Sequence, residues 1–494
     1  MQRIALSLIL VACSAQTCGA LVSTNVPLDH WSYDAIEKLA NYALIDSSML
    51  GIRPLSRLEM ARQVGQAMHA IETTEESSEM VHSIVERLQR EYEGELILLG
   101  VLDGWYGESF IKPIEDPYVT YRYAEDTPDL ENRRGDELQE GSNYRAGFAS
   151  RVKLFEWAAF YVHPEYLDSS EIDGNVDFIE AYGKVMTGPI EIEVGKDSLW
   201  WGPGRHGSML MSSNVQPFTM VKVTNPQPLP LPWIFRILGP FRGEWFFAEL
   251  EEDRDIPEAR LSGIRLNIKP HPCVELGASR VAMFGGRGVP RVDFVDYAKM
   301  FFALTEQEEN NQLAGFDISV LLPLWKDAPL RSIRFYADAA GEDESGGWPS
   351  KWGELLGLQF NDILKTGRTD LRVEYANNRV SGFGELFYTH SLYTSGYTYE
   401  GRIIGHHMGS DSRDVFVHLA HYLTEDVVVD LAFDQQTYGL GGGARTTTDI
   451  FECGVTLFPS PLWRIRTGYR YEETSGVGAD GDNHIVELGL IRRF

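Results

Sequence analysis

The sequence predicts an all-β transmembrane barrel of antiparallel strands, preceded by a small α-helical bundle. Three observations carry that prediction. From about Tyr118 onward, apolar and polar residues alternate one by one to the end of the 494-residue chain. The polar face carries Arg and Glu in mid-strand, as a wet lumen behind a lipid-facing wall requires. Beyond the first twenty residues no stretch offers the ~18 consecutive apolar residues of a membrane helix. A chain of this kind that crosses a membrane must do so as a closed sheet.

The elements follow in order. Residues 1–20 read as a signal peptide, with Arg3 as the positive start, Ile4 to Ala12 as the apolar stretch and Cys18-Gly19-Ala20 as small residues for cleavage. Leu10-Val-Ala-Cys13 also resembles a lipoprotein processing site. Cleavage at residue 20 leaves Cys273 and Cys453, too few and too distant for a disulfide scaffold. The formal charge of −28 argues against nucleic-acid binding, which needs Lys and Arg to neutralise phosphates.

Residues 21–110 are expected to form a helical bundle on the periplasmic side. Tyr33, Ile36, Leu39, Ala40 and Ala43 recur at helical spacing. Ser56-Arg-Leu-Glu59 reads as a capping box ahead of Met60, Val64, Ala67 and Ile71. A third helix is expected from Ser78, presenting Val81, Ile84, Val85 and Leu88. The wording "DHWSYDAIEKLANYALID" and "GIRPLSRLEMARQVGQAM" resembles an S-layer-homology unit, which implies contact with cell-wall polymers such as peptidoglycan. The other reading is a folded cap or plug.

Residues 111–494 are assigned to the barrel. Ile264, Leu266 and Ile268 alternate with Arg265, Asn267 and Lys269, and Leu371, Val373 and Tyr375 with Arg372 and Glu374. Tyr and Trp near strand ends suit an interfacial aromatic girdle. Val486, Leu488 and Leu490 alternate toward a terminal Phe494, which resembles the signal read by the barrel assembly machinery. Long connections (125–142, 197–216, 251–259, 284–311, 405–413 and others) alternate with short ones near Phe155, Pro189, Pro272, Asp426 and Pro461. This pattern is that of long outer loops and short periplasmic turns. Counted this way the strands number about twenty, with 217–224 and 384–404 the weakest candidates.

One motif points elsewhere. Gly202-Pro-Gly204-Arg-His-Gly207 matches the G-x-G-x-x-G turn of dinucleotide-binding folds. That turn works only in a parallel βαβ unit with a helix beginning at the third glycine. Pro217 and the four prolines of 225–232 leave no parallel βαβ unit here. The glycines are instead expected to let a loop turn tightly and approach another surface. Gly285, Gly286 and Gly288 are read the same way.

Candidate binding residues cluster in the expected outer loops. Sugars need flat aromatic faces and planar hydrogen-bonding groups, and Trp200, Trp201, Arg205, His206, Asn214, Arg254, Asp255, His406 and His407 supply those types. Each has a structural reading beside it. The tryptophans can pack the loop into the lumen, Arg254 and Asp255 can close a salt-bridge network, and the histidines can bond loop backbone. No cofactor and no metal are expected, because His406 and His407, being adjacent, face opposite sides of a strand.

The segments "GKDSLWWGPGRHGSMLMSSN", "LEEDRDIPEARLSGIRLNIKP", "FGGRG" and "GHHMGSDSRD", in this order, resemble the capsule assembly protein Wzi family. That resemblance implies an outer-membrane barrel of about 18 strands with a helical bundle at its periplasmic side. It also implies a lectin-like role, holding capsular or related surface polysaccharide at the exterior of a Gram-negative cell. A diffusion porin is the alternative. A glycoside hydrolase using two acids of the 249–255 cluster is a further one, but it needs two carboxylates set across a sugar, and a run on one loop does not supply them.

Overall fold

The computed structural model describes residues 21–73, 78–172, 174–301, 310–345, 348–380, 387–476 and 480–493. The expected leader, its alternative lipid-attachment cysteine Cys13 and the terminal Phe494 lie outside them.

Among the described residues the N-terminal part holds four helices, α1 (Ser32–Asn41), α2 (Arg57–Thr73), α3 (Glu79–Glu91) and α4 (Glu93–Leu98). The sequence reading expected three. The extra one arises at Tyr92, where the helix breaks at φ −112°, ψ 20°. The buried Tyr92 hydroxyl is tied to Ser32 Oγ at 2.7 Å. The Ser56 cap holds in half: Ser56 Oγ accepts from the Glu59 N–H at 3.2 Å, while the Glu59 carboxylate turns to Arg62 and Gln63. Ser78 caps α3 by accepting from Val81 N–H. Ile36, Leu39, Met60, Val64, Ile84 and Leu88 form the shared core, the apolar stripe their spacing predicts.

Eighteen antiparallel strands follow among the described residues: β1 (Phe110–Ala124), β2 (Gly141–Leu154), β3 (Ala158–Ser169), β4 (Asn175–Thr187), β5 (Ile190–Asp197), β6 (Phe218–Thr224), β7 (Pro240–Glu249), β8 (Arg260–His271), β9 (Val274–Phe284), β10 (Asn310–Pro323), β11 (Ser332–Ser345), β12 (Trp348–Asn361), β13 (Thr369–Asn377), β14 (Arg413–Thr424), β15 (Val427–Tyr438), β16 (Thr446–Ser460), β17 (Trp463–Gly476) and β18 (Gly481–Arg492). Each pairs with its sequence neighbour, and β1 closes the barrel on β18, with Tyr118 opposite Ile491. Closure leaves no open edge, the condition for a sheet in lipid.

The pleat sorts the side chains. On β8, Ile264 and Leu266 face out at 45% and 46% exposure, while Arg265 and Asn267 point in at 2% and 0%. A charge on the lipid face at mid-membrane costs about 2–4 kcal/mol, so this alternation fixes the register. Inside, charges meet partners: Lys222 lies 2.8 Å from Asp197, and Arg265 2.8 Å from Asp317.

Two strand expectations resolve differently. Residues 218–224 are a wall strand, β6, although Pro217 precedes it. Of the stretch 384–404, residues 387–404 are not in the wall. They form a loop carrying one small hairpin, Thr398–Tyr399 against Arg402–Ile403. Removing them lowers the count of about twenty.

The bundle reaches into the barrel from the short-turn side. Glu37 of α1 takes Arg334 of β11 and Arg372 of β13 at 2.8 and 2.7 Å. Glu95 of α4 lies 3.2 Å from Arg151 of β2. The segment before α2 also enters: Arg242 on β7 donates to Ile52 O at 2.9 Å, and the Gly51 N–H donates to Glu275 on β9. The bundle is thus a plug.

Candidate functional site

Strands β5 and β6 are short, and the loop between them (198–217) turns into the lumen. Trp200 and Trp201 form a two-residue antiparallel ladder with Arg53 and Ile52 of the plug. Gly202 N–H extends it to Gly51 O at 2.9 Å. The plug from one end and the loop from the other therefore meet within the barrel. Trp201 donates its indole N–H to Glu244 at 2.6 Å and sets its ring edge-on to Phe246. The Arg53 guanidinium lies over the Trp200 ring at 5.1 Å. At 5% and 1% exposure, neither indole offers an open face to a sugar.

The glycines serve this packing. Gly202 has φ +129°, a conformation L side chains rarely adopt. A Cβ on Gly207 would sit 2.2 Å from His406 Nε2, so the buried His406 ring rests on bare backbone. A Cβ on Gly204 would sit 2.1 Å from Gly207 O. The strand that follows, β6, runs antiparallel to β5, and no helix begins at Gly207.

Beyond the turn, the backbone N–H groups of Arg205 and His206 donate to the two oxygens of Glu374 at 2.8 and 3.0 Å. The His206 ring stacks on Phe416, with centroids 3.8 Å apart and planes 2° from parallel. Its Nε2 lies 3.0 Å from Asp434 and 3.8 Å from Asp414. His407 Nε2 lies 2.8 Å from Asp414. Asn132 donates to His206 O and reaches His407 Nδ1 at 3.3 Å. Burial would lower the His206 pKa, but Asp434 and Asp414 outweigh it and push it up to about 10. Burial keeps His406 neutral, and His407 and His206 add to that effect. Glu131 is pushed up by burial, yet the Arg470 guanidinium at 2.7 Å holds it well below the carboxylate range.

The other candidates sit in neighbouring loops. Arg205 pairs with Asp34 of α1 at 2.7 Å. Asn214 is buried and donates to Ile403 O at 3.0 Å. Arg254 donates to Thr398 O and Gly396 O at 3.1 and 3.2 Å, pinning its loop to the one after β13. Asp255 is exposed and accepts from the Thr394 hydroxyl. Gly285, Gly286 and Gly288 all have positive φ, and Gly285 O accepts from the Tyr393 hydroxyl.

The fold thus brings His206 and His407 together and places Arg254 and Asp255 in a separate cluster. The sequence reading missed Asn132, Glu374, Asp414 and Asp434. The three acids lie on strands at inward positions, where they look like any lumenal acid. Only the ladder, which sets Asp434 opposite Phe416, exposes their relation.

A closed barrel with an apolar exterior, a charged interior and a plug on the short-turn side is an outer-membrane β-barrel. The chain belongs to the capsule assembly protein Wzi family, whose model matches residues 117–484. It is similar to Wzi of Escherichia coli, an outer membrane protein involved in group 1 capsule assembly and a carbohydrate binding β-barrel. The two share 21% identity and a TM-score of 0.73 over 95% of this chain and 99% of that one. At that identity the likeness shows the fold. An uncharacterised 55.8 kDa protein in the cps region of Klebsiella pneumoniae is 33% identical over 184 residues, which is 36% of this chain and 36% of that protein.

Proposed function

We propose that the protein is a lectin-like barrel that holds capsular or related surface polysaccharide at the cell exterior, assists capsule assembly and catalyses no reaction. Family membership supports the reading, as does the carbohydrate binding ascribed to the similar Escherichia coli barrel. The observation that carries it is the meeting of plug and loop at Trp200–Trp201 and Ile52–Arg53, which supports an anchored outer platform rather than an open pore.

Within this reading six of the nine candidates divide by access. Asp255 faces solvent and touches the polymer. Trp200, Trp201, Asn214 and His406 act from beneath by holding the loops still, and Arg254 acts by pinning two loops together. Preorganised loops bind better because less ordering is lost on binding. The plug faces the periplasm, where peptidoglycan is its expected neighbour.

The test is a cell-surface one. A strain lacking the protein is complemented with wild type or with Arg254→Ala. Wild type retains polysaccharide on the cells, whereas the variant sheds more of it while still reaching the outer membrane. Equal retention with and without the protein overturns the reading.

A further inference from the structure

We propose that His206, His407, Asp414 and Asp434 together bind one divalent first-row transition ion, for which zinc is the best match. These residues come from two loops and two wall strands: 198–217, the loop after β13, β14 and β15. One ligand atom from each lies within 4.8 Å of all the others. Four-coordinate zinc has bonds of ~2.0–2.1 Å to nitrogen and oxygen, which sets neighbouring ligand atoms about 3.3 Å apart. The contacts of 2.8, 3.0 and 3.8 Å bracket that spacing. Small side-chain movements would therefore open a tetrahedral site without moving the wall.

Three further observations point to a cation. Asp434 uses Oδ2 toward His206 and Gln436, but its Oδ1 is buried without a hydrogen-bond partner. A buried carboxylate oxygen left unpaired is costly, and a metal ion would satisfy it. Second, the ion-pair partners of the two aspartates among the described residues are these same imidazoles. Arg470, the nearby wall cation, is engaged by Glu131, Glu452 and Glu472 at 2.7, 2.9 and 2.6 Å. Third, the His206 imidazole is positioned from behind by its stack on Phe416. Such outer contacts orient ligands in metal sites.

The donor set selects the ion. Two imidazole nitrogens disfavour calcium and magnesium, which take oxygen ligands. Mixed nitrogen and carboxylate donors suit zinc and its neighbours. With all four positions supplied by protein, the ion is structural. It clamps both lumenal loops to β14 and β15. This inference does not depend on polysaccharide binding.

The experiment uses the full-length barrel in detergent, stripped with chelator and dialysed against zinc, with metal content read by mass spectrometry. One zinc per chain is expected, and cobalt substitution should give the visible absorption of a four-coordinate ion. Asp434→Asn and His407→Gln should each weaken zinc binding by more than about tenfold. Both should keep the heat-modifiable gel shift of a folded barrel. A folded wild type that retains no stoichiometric zinc overturns the proposal. So does a six-coordinate, solvent-like cobalt spectrum, a readout that needs no variant to fold.

Discussion

At the residue scale, the glycine-rich turn is a seat for an aromatic ring. Gly207→Ala would drive a methyl into His406, which has no room to retreat at 1% exposure. Overpacking of this kind costs about 1–3 kcal/mol. The expected outcome is a lower midpoint for loss of the folded gel band. Gly481→Ala, whose added methyl meets nothing within 4 Å, should leave that midpoint unchanged. Trp201→Ala removes a fully buried indole and should cost about 3–5 kcal/mol by the same measurement. The spacing of Gly202, Gly204 and Gly207 made a tight turn legible in the sequence, and their partner was not, because His406 lies some two hundred residues away. The acids of the histidine cluster were illegible for another reason. Nothing local separates Asp414 and Asp434 from the other inward-facing charges of a barrel.

At the scale of elements, the alternation identified strands because lipid and lumen impose opposite chemistry on successive residues. It failed at 384–404, where tyrosines that look lipid-facing pack inside the lumen instead, Tyr388, Tyr393 and Tyr397 being buried among Met209, Leu355 and Met408. Helix α1 shows how the plug is held. Burial would raise the Glu37 pKa, yet Arg372 and Arg334 outweigh it and hold it at about 2, against an ordinary 4.5. Glu95 on α4 behaves alike: burial raises it, and Arg57 and Arg151 bring it to about 2. Carboxylates depressed in the folded state stabilise it fully above their ordinary pKa and cease to do so as pH falls through the folded value. Plug docking should therefore be constant from pH 8 to 5 and weaken between about 4 and 2. Protease sensitivity of residues 21–98, followed against pH, reads this directly, and protection that persists below pH 2 would contradict it. Glu37→Gln removes the charge that Arg334 and Arg372 share, leaving Arg334 its bond to Ser319 and Arg372 its contacts with Gln359 and Glu374, and should cost up to about 3–5 kcal/mol at neutral pH. Its plug should be protease-sensitive without acidification.

At the scale of the molecule, the barrel is a wall around a junction. The plug rises from the short-turn side, the loop at 198–217 descends toward it, and the loops above are pinned to one another by Arg254 and Asn214. Such a body should pass little current. In planar bilayers the wild type is expected to stay near baseline, whereas Glu37→Gln should show flickering openings as the plug loosens. Steady, large conductance from wild type would favour a porin. On the proposed function, this closed body holds polysaccharide at its outer face. The measurement that tests it most directly is the binding isotherm of the purified, detergent-solubilised protein with polysaccharide from its own host's surface. Saturable binding by the heat-modifiable barrel, weakened by Arg254→Ala, is the predicted result. A folded wild-type barrel that binds none of it would contradict the claim.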